Sequence, residues 1–526
     1  MFKKVGLVLL LLAYCRSTSA QNIEIQKLGA LLQMIDYYYV DTVNKPKLVD
    51  DGIRAILKDC DPHSQYIPAS ELKEMNEPLV GKFEGVGIQF NILDDTIMVT
   101  QTIAGGPSEK LGIRPGDRIV NIDGKKVAGV KITNKDVISK LRGDKGTKVK
   151  VDMYRRGEAE LLTFDITRDK IPLFSVDASY KIEPDIGYIK ISRFADNTVE
   201  EFKEALAKLK SQGVKSLILD LTSNGGGYLN RAHQLADEFL SDGKRIVYTE
   251  GRSQSREDYF STAAGGWEKG KLVVMINEYS ASASEIVSGA IQDWDRGLIV
   301  GRRSFGKGLV QKPYSLPDGS AVRLTVARYY TPSGRCIQKS YQEGDEEYSD
   351  DISNRFKHGE LYHADSIKFN DSLKYTTNAK RVVYGGGGIM PDVFVPLDTM
   401  FSSKYYSDLI RKAALSEFAL TYADNNRSKL KSAYTTVENF KKNFNVDDKM
   451  MNDFIAFAEK KEVKKDEEGL KRSGTMIKAQ IKALIARDIF NFGAYFYIIN
   501  DSDDTFNKAV ESIKDNTFSK MKIANN

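Results

Sequence analysis

The spacing of apolar positions changes along the chain, and each change marks a new region. Through residues 21–79, Ile25, Leu28, Leu31, Leu32 and Ile35 recur at helical spacing, and Val49, Ile53 and Ile56 continue the pattern. That period predicts a helical N-terminal region. Asp61-Pro62-His63-Ser64 breaks it, and Ser70 with Glu74 marks another short helix. From residue 81 the pattern becomes short β runs at 87–91, 96–102, 118–122 and 148–154, with a helix at 134–141. Asp94-Asp95, Gly105-Gly106-Pro107, Arg114-Pro115-Gly116-Asp117 and Asp123-Gly124 supply the turns. Through residues 171–399 strands (186–191, 216–221, 245–248, 272–276, 298–300) alternate with helices (199–212, 232–240). Alternation of this kind predicts an α/β core with right-handed crossovers. Runs 309–314 and 321–330 read as a β-pair turning at Pro317-Asp318-Gly319. Residues 342–379 are polar and acidic, and read as an insertion or mobile flap. Residues 400–526 are charged and helical, with an apolar seam of Ile477, Ile481, Leu484, Ile485 and Ile489. They read as an accessory domain or an oligomerisation arm.

The first twenty residues are patterned differently. Lys3 and Lys4 precede a short apolar run, and Thr18-Ser19-Ala20 offers small residues before Gln21. This reads as a secretory signal cleaved after Ala20, too short to span a bilayer. Cys15 follows Tyr14, which is bulkier than a lipoprotein site usually accepts. Export to a periplasm is the expectation, with membrane association the alternative. The remaining cysteines, Cys60 and Cys336, read as free thiols. A chain of 526 residues with 41% hydrophobic content holds several cored domains. A net charge of +5 over that length gives no reason to expect nucleic acid.

The chemistry is narrowed first by what is missing. His63, His233, His358 and His363 form no HExxH metal pair and no triad motif. Ser223-Asn224-Gly225-Gly226-Gly227 follows a strand but lacks the lysine and hydroxyl of a phosphate loop. It reads as a turn whose backbone approaches a ligand closely. Ser282 opens a helix after one strand, and Lys307 follows the next. Both turns, with 223–227, lie at strand carboxyl ends, where α/β sheets build sites. A serine needs a base, and a lysine serves only when burial brings its pKa well below its usual value near 10.4. The Ala283 N–H, with one from Gly226 or Gly227, could hold an oxyanion. From residue types alone Ser280, Ser282 and Ser284 are equal candidates, and each could simply cap a helix.

Two resemblances narrow this further. Gly85-Val86-Gly87-Ile88, Gly106-Pro107-Ser108, Gly112-Ile113-Arg114-Pro115-Gly116-Asp117 and Asn121-Ile122-Asp123-Gly124 resemble a PDZ domain over residues 81–170. There the loop Gly85, Val86, Gly87, Ile88 would receive a carboxylate on backbone N–H groups, and the following strand would accept a peptide. Ser280-Ala281-Ser282-Ala283-Ser284-Glu285, Gln292-Asp293, Gly301, Phe305-Gly306-Lys307-Gly308 and Gln311 resemble the active-site signature of the carboxyl-terminal processing (tail-specific) proteases. Asp61-Pro62-His63-Ser64, Thr331-Pro332-Ser333-Gly334-Arg335 and the order of regions match as well.

The resemblance implies an α+β multidomain chain: a helical N-terminal region, a PDZ β-domain, an α/β protease core of the crotonase/ClpP-like type, and a helical C-terminal domain. It implies a serine endopeptidase with Ser282 as nucleophile, Lys307 as general base and Gln311 orienting the lysine. Asp293 matches a position tied to activity. Arg142 matches one that couples the PDZ domain to the catalytic site. Substrates would be proteins with free C-termini. Neither metal nor cofactor is implied, and there is room for an adaptor protein and for self-association through the helical regions. The family's Asn-Pro-Gly-Gly turn here reads Asn224-Gly225-Gly226-Gly227, a looser loop. The rival readings are an inert PDZ scaffold or chaperone, an acyl-CoA enzyme of the crotonase-like fold, and His233 in place of Lys307 as base.

Overall fold

The computed structural model describes residues 23–368, 370–398 and 401–523, so the signal sequence expected at 1–20 lies outside the described residues. The chain divides into two compact units. One comprises the described residues to Leu72 together with Gln311–Thr325; the other holds Lys73–Val310 and the described residues from Val326 onward.

The first unit begins with α1 (Ile23–Tyr38), whose side chains are all at least partly exposed, and α2 (Lys45–Lys58), capped by Asn44. The Asp61 carboxylate then accepts the N–H groups of His63 and Ser64 and the Ser64 hydroxyl. An Asp that binds its own downstream backbone competes with helix, so the helical pattern stops here. A short strand, β1 (Gln65–Ile67), follows and pairs antiparallel with residues 321–323. Helical spacing alone gave no warning of this strand. The helix expected near Ser70 is α3 (Ala69–Val80), which runs on into the second unit.

The second unit opens with β2 (Lys82–Gly85), β3 (Ile88–Leu93), β4 (Thr96–Thr102), β5 (Arg118–Ile122), α4 (Asn134–Leu141), β6 (Lys148–Tyr154), β7 (Leu162–Thr167) and β8 (Asp169–Pro172). The sheet order is β3-β4-β5-β6-β7, antiparallel throughout. Its core joins Ile97, Ile119, Val149 and Val151 to Val137 and Leu141 of α4. β2 and β8 pair with each other, so this PDZ-like domain stands on a two-stranded stem.

The α/β core follows: β9 (Val176–Glu183), β10 (Ile186–Ile191), α5 (Thr198–Ser211), β11 (Ser216–Asp220), α6 (Leu229–Asp237), β12 (Arg245–Gly251), β13 (Gln254–Phe260), β14 (Lys271–Ile276), α7 (Ala283–Asp293) and β15 (Leu298–Gly301). Beyond it come α8 (Asp345–Lys357), in the polar insertion, and β16 (Val393–Phe394). The main sheet runs β9-β10-β11-β14-β15-β16, parallel except for β9. Its strands alternate between two cores. Leu217, Leu219, Leu272, Val274 and Ile276 pack with α5, α6 and α7, while Ile218, Val273 and Met275 pack on the opposite face. Burial on both faces is why these strands read as unbroken apolar runs.

The C-terminal helices form two bodies rather than one. α9 (Lys404–Arg411), α10 (Ala414–Ala433), α11 (Val437–Asn443), α12 (Asp448–Lys460) and α13 (Glu467–Ile489) make a bundle around Phe418, Phe440, Phe454, Ile477 and Ile481. The predicted seam lies in that bundle. α14 (Phe492–Ile499) joins it through Ala494 and Ile498. α15 (Asp504–Lys514) and α16 (Thr517–Lys520) instead cover the second face of the main sheet with Phe506, Ala509, Ile513 and Phe518. The bundle also backs the PDZ-like sheet. Leu420 packs on Leu93 and Met98, and Arg118 pairs with Asp424 at 2.7 Å.

Candidate active site

Three turns leave the carboxyl ends of β11, β14 and β15, and hydrogen bonds sew them together. Asn224 ties the first two. Its carbonyl accepts the Ala281 N–H (3.0 Å) and the Ser284 hydroxyl (2.9 Å). The Ser280 hydroxyl donates to the Leu221 carbonyl (2.8 Å) and accepts the Asn277 N–H (2.9 Å). Ser280 and Ser284 are therefore buried and occupied. Ser282 between them is partly exposed and holds a strained backbone, φ 55° and ψ −111°. A non-glycine residue in that region costs about 1–3 kcal/mol, which the surrounding bonds must hold in place.

The second and third turns meet on one carboxylate. Glu285, fully buried in the first turn of α7, accepts the Ser282 N–H (2.8 Å) and the Lys307 N–H (2.9 Å) on the same oxygen. Its other oxygen accepts the Ser304 hydroxyl (2.5 Å) and the Gly306 N–H (2.7 Å). Burial pushes this carboxyl up from its ordinary value, and the four donors pull it back. From the other side the buried Tyr329 hydroxyl lies 3.0 Å from the Ser282 carbonyl and 2.7 Å from that of Lys307, as a shared donor. Burial holds this phenol well above its usual pKa, so it stays a donor. The backbones of Ser282 and Lys307 are thus held together by two side chains that bind both. Lys307 is half-buried.

Gly226 presses on this centre. A Cβ built there would lie 2.8 Å from Ser282 Cβ and 3.0 Å from the Ala283 nitrogen. Its φ is 102°, so glycine is required on both counts. The expectation that Gly226 could donate to an oxyanion meets an obstacle, because its N–H already donates to Asn224 Oδ1 at 2.9 Å. The N–H groups of Ala283 and Gly227 have no hydrogen-bond partner among the described residues.

The other expected residues have contacts of their own. Asp293 ends α7, about 16 Å along the helix from Ser282. It is buried against Arg335 (2.7 Å) and accepts the Ser333 N–H (2.9 Å), fixing the 331–335 turn. Gln311 belongs to the other compact unit, where its amide meets the Thr325 hydroxyl at 3.4 Å and that hydroxyl donates to Asp61 at 3.0 Å. His233 Nε2 is bonded to the Phe260 carbonyl at 2.8 Å. In the PDZ-like loop the Val86 and Gly87 carbonyls accept from Ser108 and Ile103, while the N–H groups of these two residues have no partner among the described residues. β3 beside them is an edge strand. Arg142 bonds Glu77 of α3 at 2.5 Å and lies over the Phe83 ring. Glu285 and Tyr329 were missed in the sequence. For Glu285 a signal existed, since Ser282-Ala283-Ser284-Glu285 has the S-x-x-E spacing of a capping box.

Comparison with known proteins gives three matched regions. Residues 185–348 match Peptidase family S41, residues 85–167 match the PDZ domain, and residues 405–491 match a family of unknown function. The carboxy-terminal-processing protease of Bartonella bacilliformis is 37% identical over 320 residues, 60% of this chain and 73% of its own length. The carboxy-terminal processing protease CtpA of Bacillus subtilis is 34% identical, over 62% of this chain and 69% of its own. The solved photosystem II D1 C-terminal processing protease is 27% identical, covering 70% of this chain and 92% of its own, with a TM-score of 0.36. With its PDZ domain, its α/β core and relatives that match across most of their length, the chain belongs to the carboxy-terminal processing proteases, serine peptidases of family S41.

Proposed function

We propose that this chain is an exported endopeptidase that uses a Ser282–Lys307 dyad and selects substrates by their free C-termini. The observation that carries the dyad is the shared Glu285 oxygen, which binds the N–H groups of both residues. Ser282 Oγ attacks the scissile carbonyl while neutral Lys307 takes its proton. The N–H groups of Ala283 and Gly227 receive the oxyanion, the first from the N-terminus of α7. The lysine then protonates the leaving amine, and water, activated by the same lysine, releases the acyl group. Asp293 supports the far end of α7.

The loop Gly85–Ile88 takes the terminal carboxylate, and the open edge of β3 takes the chain behind it. Arg142 links this domain to α3, and the last turn of α3 meets the core where the Asp196 N–H donates to the Leu79 carbonyl. Export rests on the signal pattern at residues 1–20. The test is cleavage of unfolded proteins bearing free or amidated C-termini by wild type, Ser282→Ala and Lys307→Ala. Both variants should be inactive, and amidation should slow the wild type. Cleavage that survives Ser282→Ala refutes the dyad, and equal rates on the two substrates refute tail selection.

A further inference from the structure

Residues 342–379 interrupt the catalytic core and carry no apolar seam, yet α8 is docked through two buried side chains, Tyr348 and Arg355. The Arg355 guanidinium donates to the Ser304 carbonyl at 2.8 Å and to the Phe305 carbonyl at 3.1 Å. Asp351 of the same helix balances its charge at 2.9 Å. The Tyr348 ring meets Phe305 edge-on, with centroids 5.9 Å apart. Lys339 Nζ sits about 4 Å from both ring centroids and bonds Asp351 at 2.9 Å. Ser304 and Phe305 immediately precede Gly306-Lys307. The insertion therefore grips the carbonyls of this turn, while Glu285 grips its N–H groups.

Gly306, with φ 90°, gives this turn a backbone open to many conformations, so the bonds around it select its shape. We propose that the inserted helix α8 is a positioning element for the base: Arg355, with Tyr348, clamps residues 304–307 so that Lys307 is aimed at Ser282. This rests on the Ser282–Lys307 reading above. α8 is then part of the catalytic apparatus without touching substrate.

The experiment measures the rate at which a small alkyl fluorophosphonate labels the full-length protein across pH: Ser282 Oγ bonds the phosphorus, fluoride leaves to solvent and Lys307 takes the hydroxyl proton. Such a probe needs no peptide docking. Arg355→Ala should lower the labelling rate about 100-fold, the scale of a misplacement near 1 Å. The pH profile of labelling should change with it, because the base is no longer held in one place. Arg355→Lys should restore part of the rate, and Lys357→Ala, on the exposed side of α8, should match the wild type. If Arg355→Ala does not fold, Arg355→Met keeps the stem without donors and carries the same expectation. A wild-type rate and pH midpoint in the folded variant, even with slower protein cleavage, overturns the proposal. If Lys307→Ala abolishes labelling in that case, only the clamp is wrong. Labelling that survives Lys307→Ala refutes the base assignment beneath it.

Discussion

Replacing Gly226 by alanine is the sharpest test of how closely the turn 223–227 approaches Ser282. The added Cβ would lie 2.8 Å from Ser282 Cβ, 2.8 Å from the Ala281 carbonyl oxygen and 3.0 Å from the Ala283 nitrogen. Carbon atoms rest about 3.5–4.0 Å apart, so either the turn or Ser282 must retreat by roughly 1 Å. None of these neighbours is the loose end of a long side chain, and Ser282 is held through Glu285 and Tyr329. The left-handed backbone adds about 1–3 kcal/mol of strain. A retreat of that size near the reacting atoms costs about 100-fold in rate. The assay is kcat and KM on a peptide substrate, with thermal melting of the same preparations. Gly225→Ala is the matched control, because its Cβ would meet nothing within 4 Å. It should keep full activity and gain about 0.4–1 kcal/mol of stability from a stiffer unfolded chain. A Gly226→Ala enzyme within about threefold of wild-type kcat would sink the close-approach argument, as would equal damage from the two substitutions.

Other outcomes follow from the same geometry. Glu285→Gln must turn a donor toward one pair of donors, and the Ser304 hydroxyl is the partner that can reverse. Gly306 N–H then loses its acceptor, so urea unfolding should show a loss of about 1–3 kcal/mol; unchanged stability and rate would deny Glu285 its role. Asp293→Ala leaves the buried Arg335 unpaired and should cost about 3–5 kcal/mol, with kcat of the folded fraction nearly intact. A collapse of kcat at normal melting temperature would put Asp293 in the chemistry instead. Arg142→Ala removes the bond to Glu77 and should reduce cleavage of free-tailed substrates to the rate of amidated ones, while fluorophosphonate labelling is unaffected. Undiminished preference for free tails would remove Arg142 from the coupling path.

Much of the core was legible because burial on both faces writes itself as apolar runs. Residues 216–220 and 271–276 are examples, and the helix Asn134–Leu141 was found with both ends in place. β13 was not legible. Its sequence, QSREDYF, is polar because the strand is largely exposed. The insertion misled for a different reason. Its anchors are an arginine and a tyrosine whose partners lie some fifty residues earlier in the chain, and no local period records such a pairing. The choice among three serines was open in residue types and closed by the motif. The structure adds the physical distinction, since Ser280 and Ser284 are buried with their hydroxyls engaged. The division of the C-terminal helices was hidden too, because α13 and α15 both carry ordinary apolar faces and only their targets differ.

The covering of the main sheet by α15 and α16 ties distant parts of the chain to one another. Phe506, Ile513 and Phe518 lie far beyond Ser282 and Lys307 in the chain, yet they pack on the same sheet. Ile218, Val273 and Met275 are covered by them, and a sheet of this kind needs both faces covered. Each of the three late side chains contributes about 1.5–3 kcal/mol on burial. The face of the sheet opposite α5, α6 and α7 is therefore closed by helices that come some two hundred residues after Lys307 in the chain, so removing Phe506, Ile513 or Phe518 should loosen the sheet that carries the turns of Ser282 and Lys307.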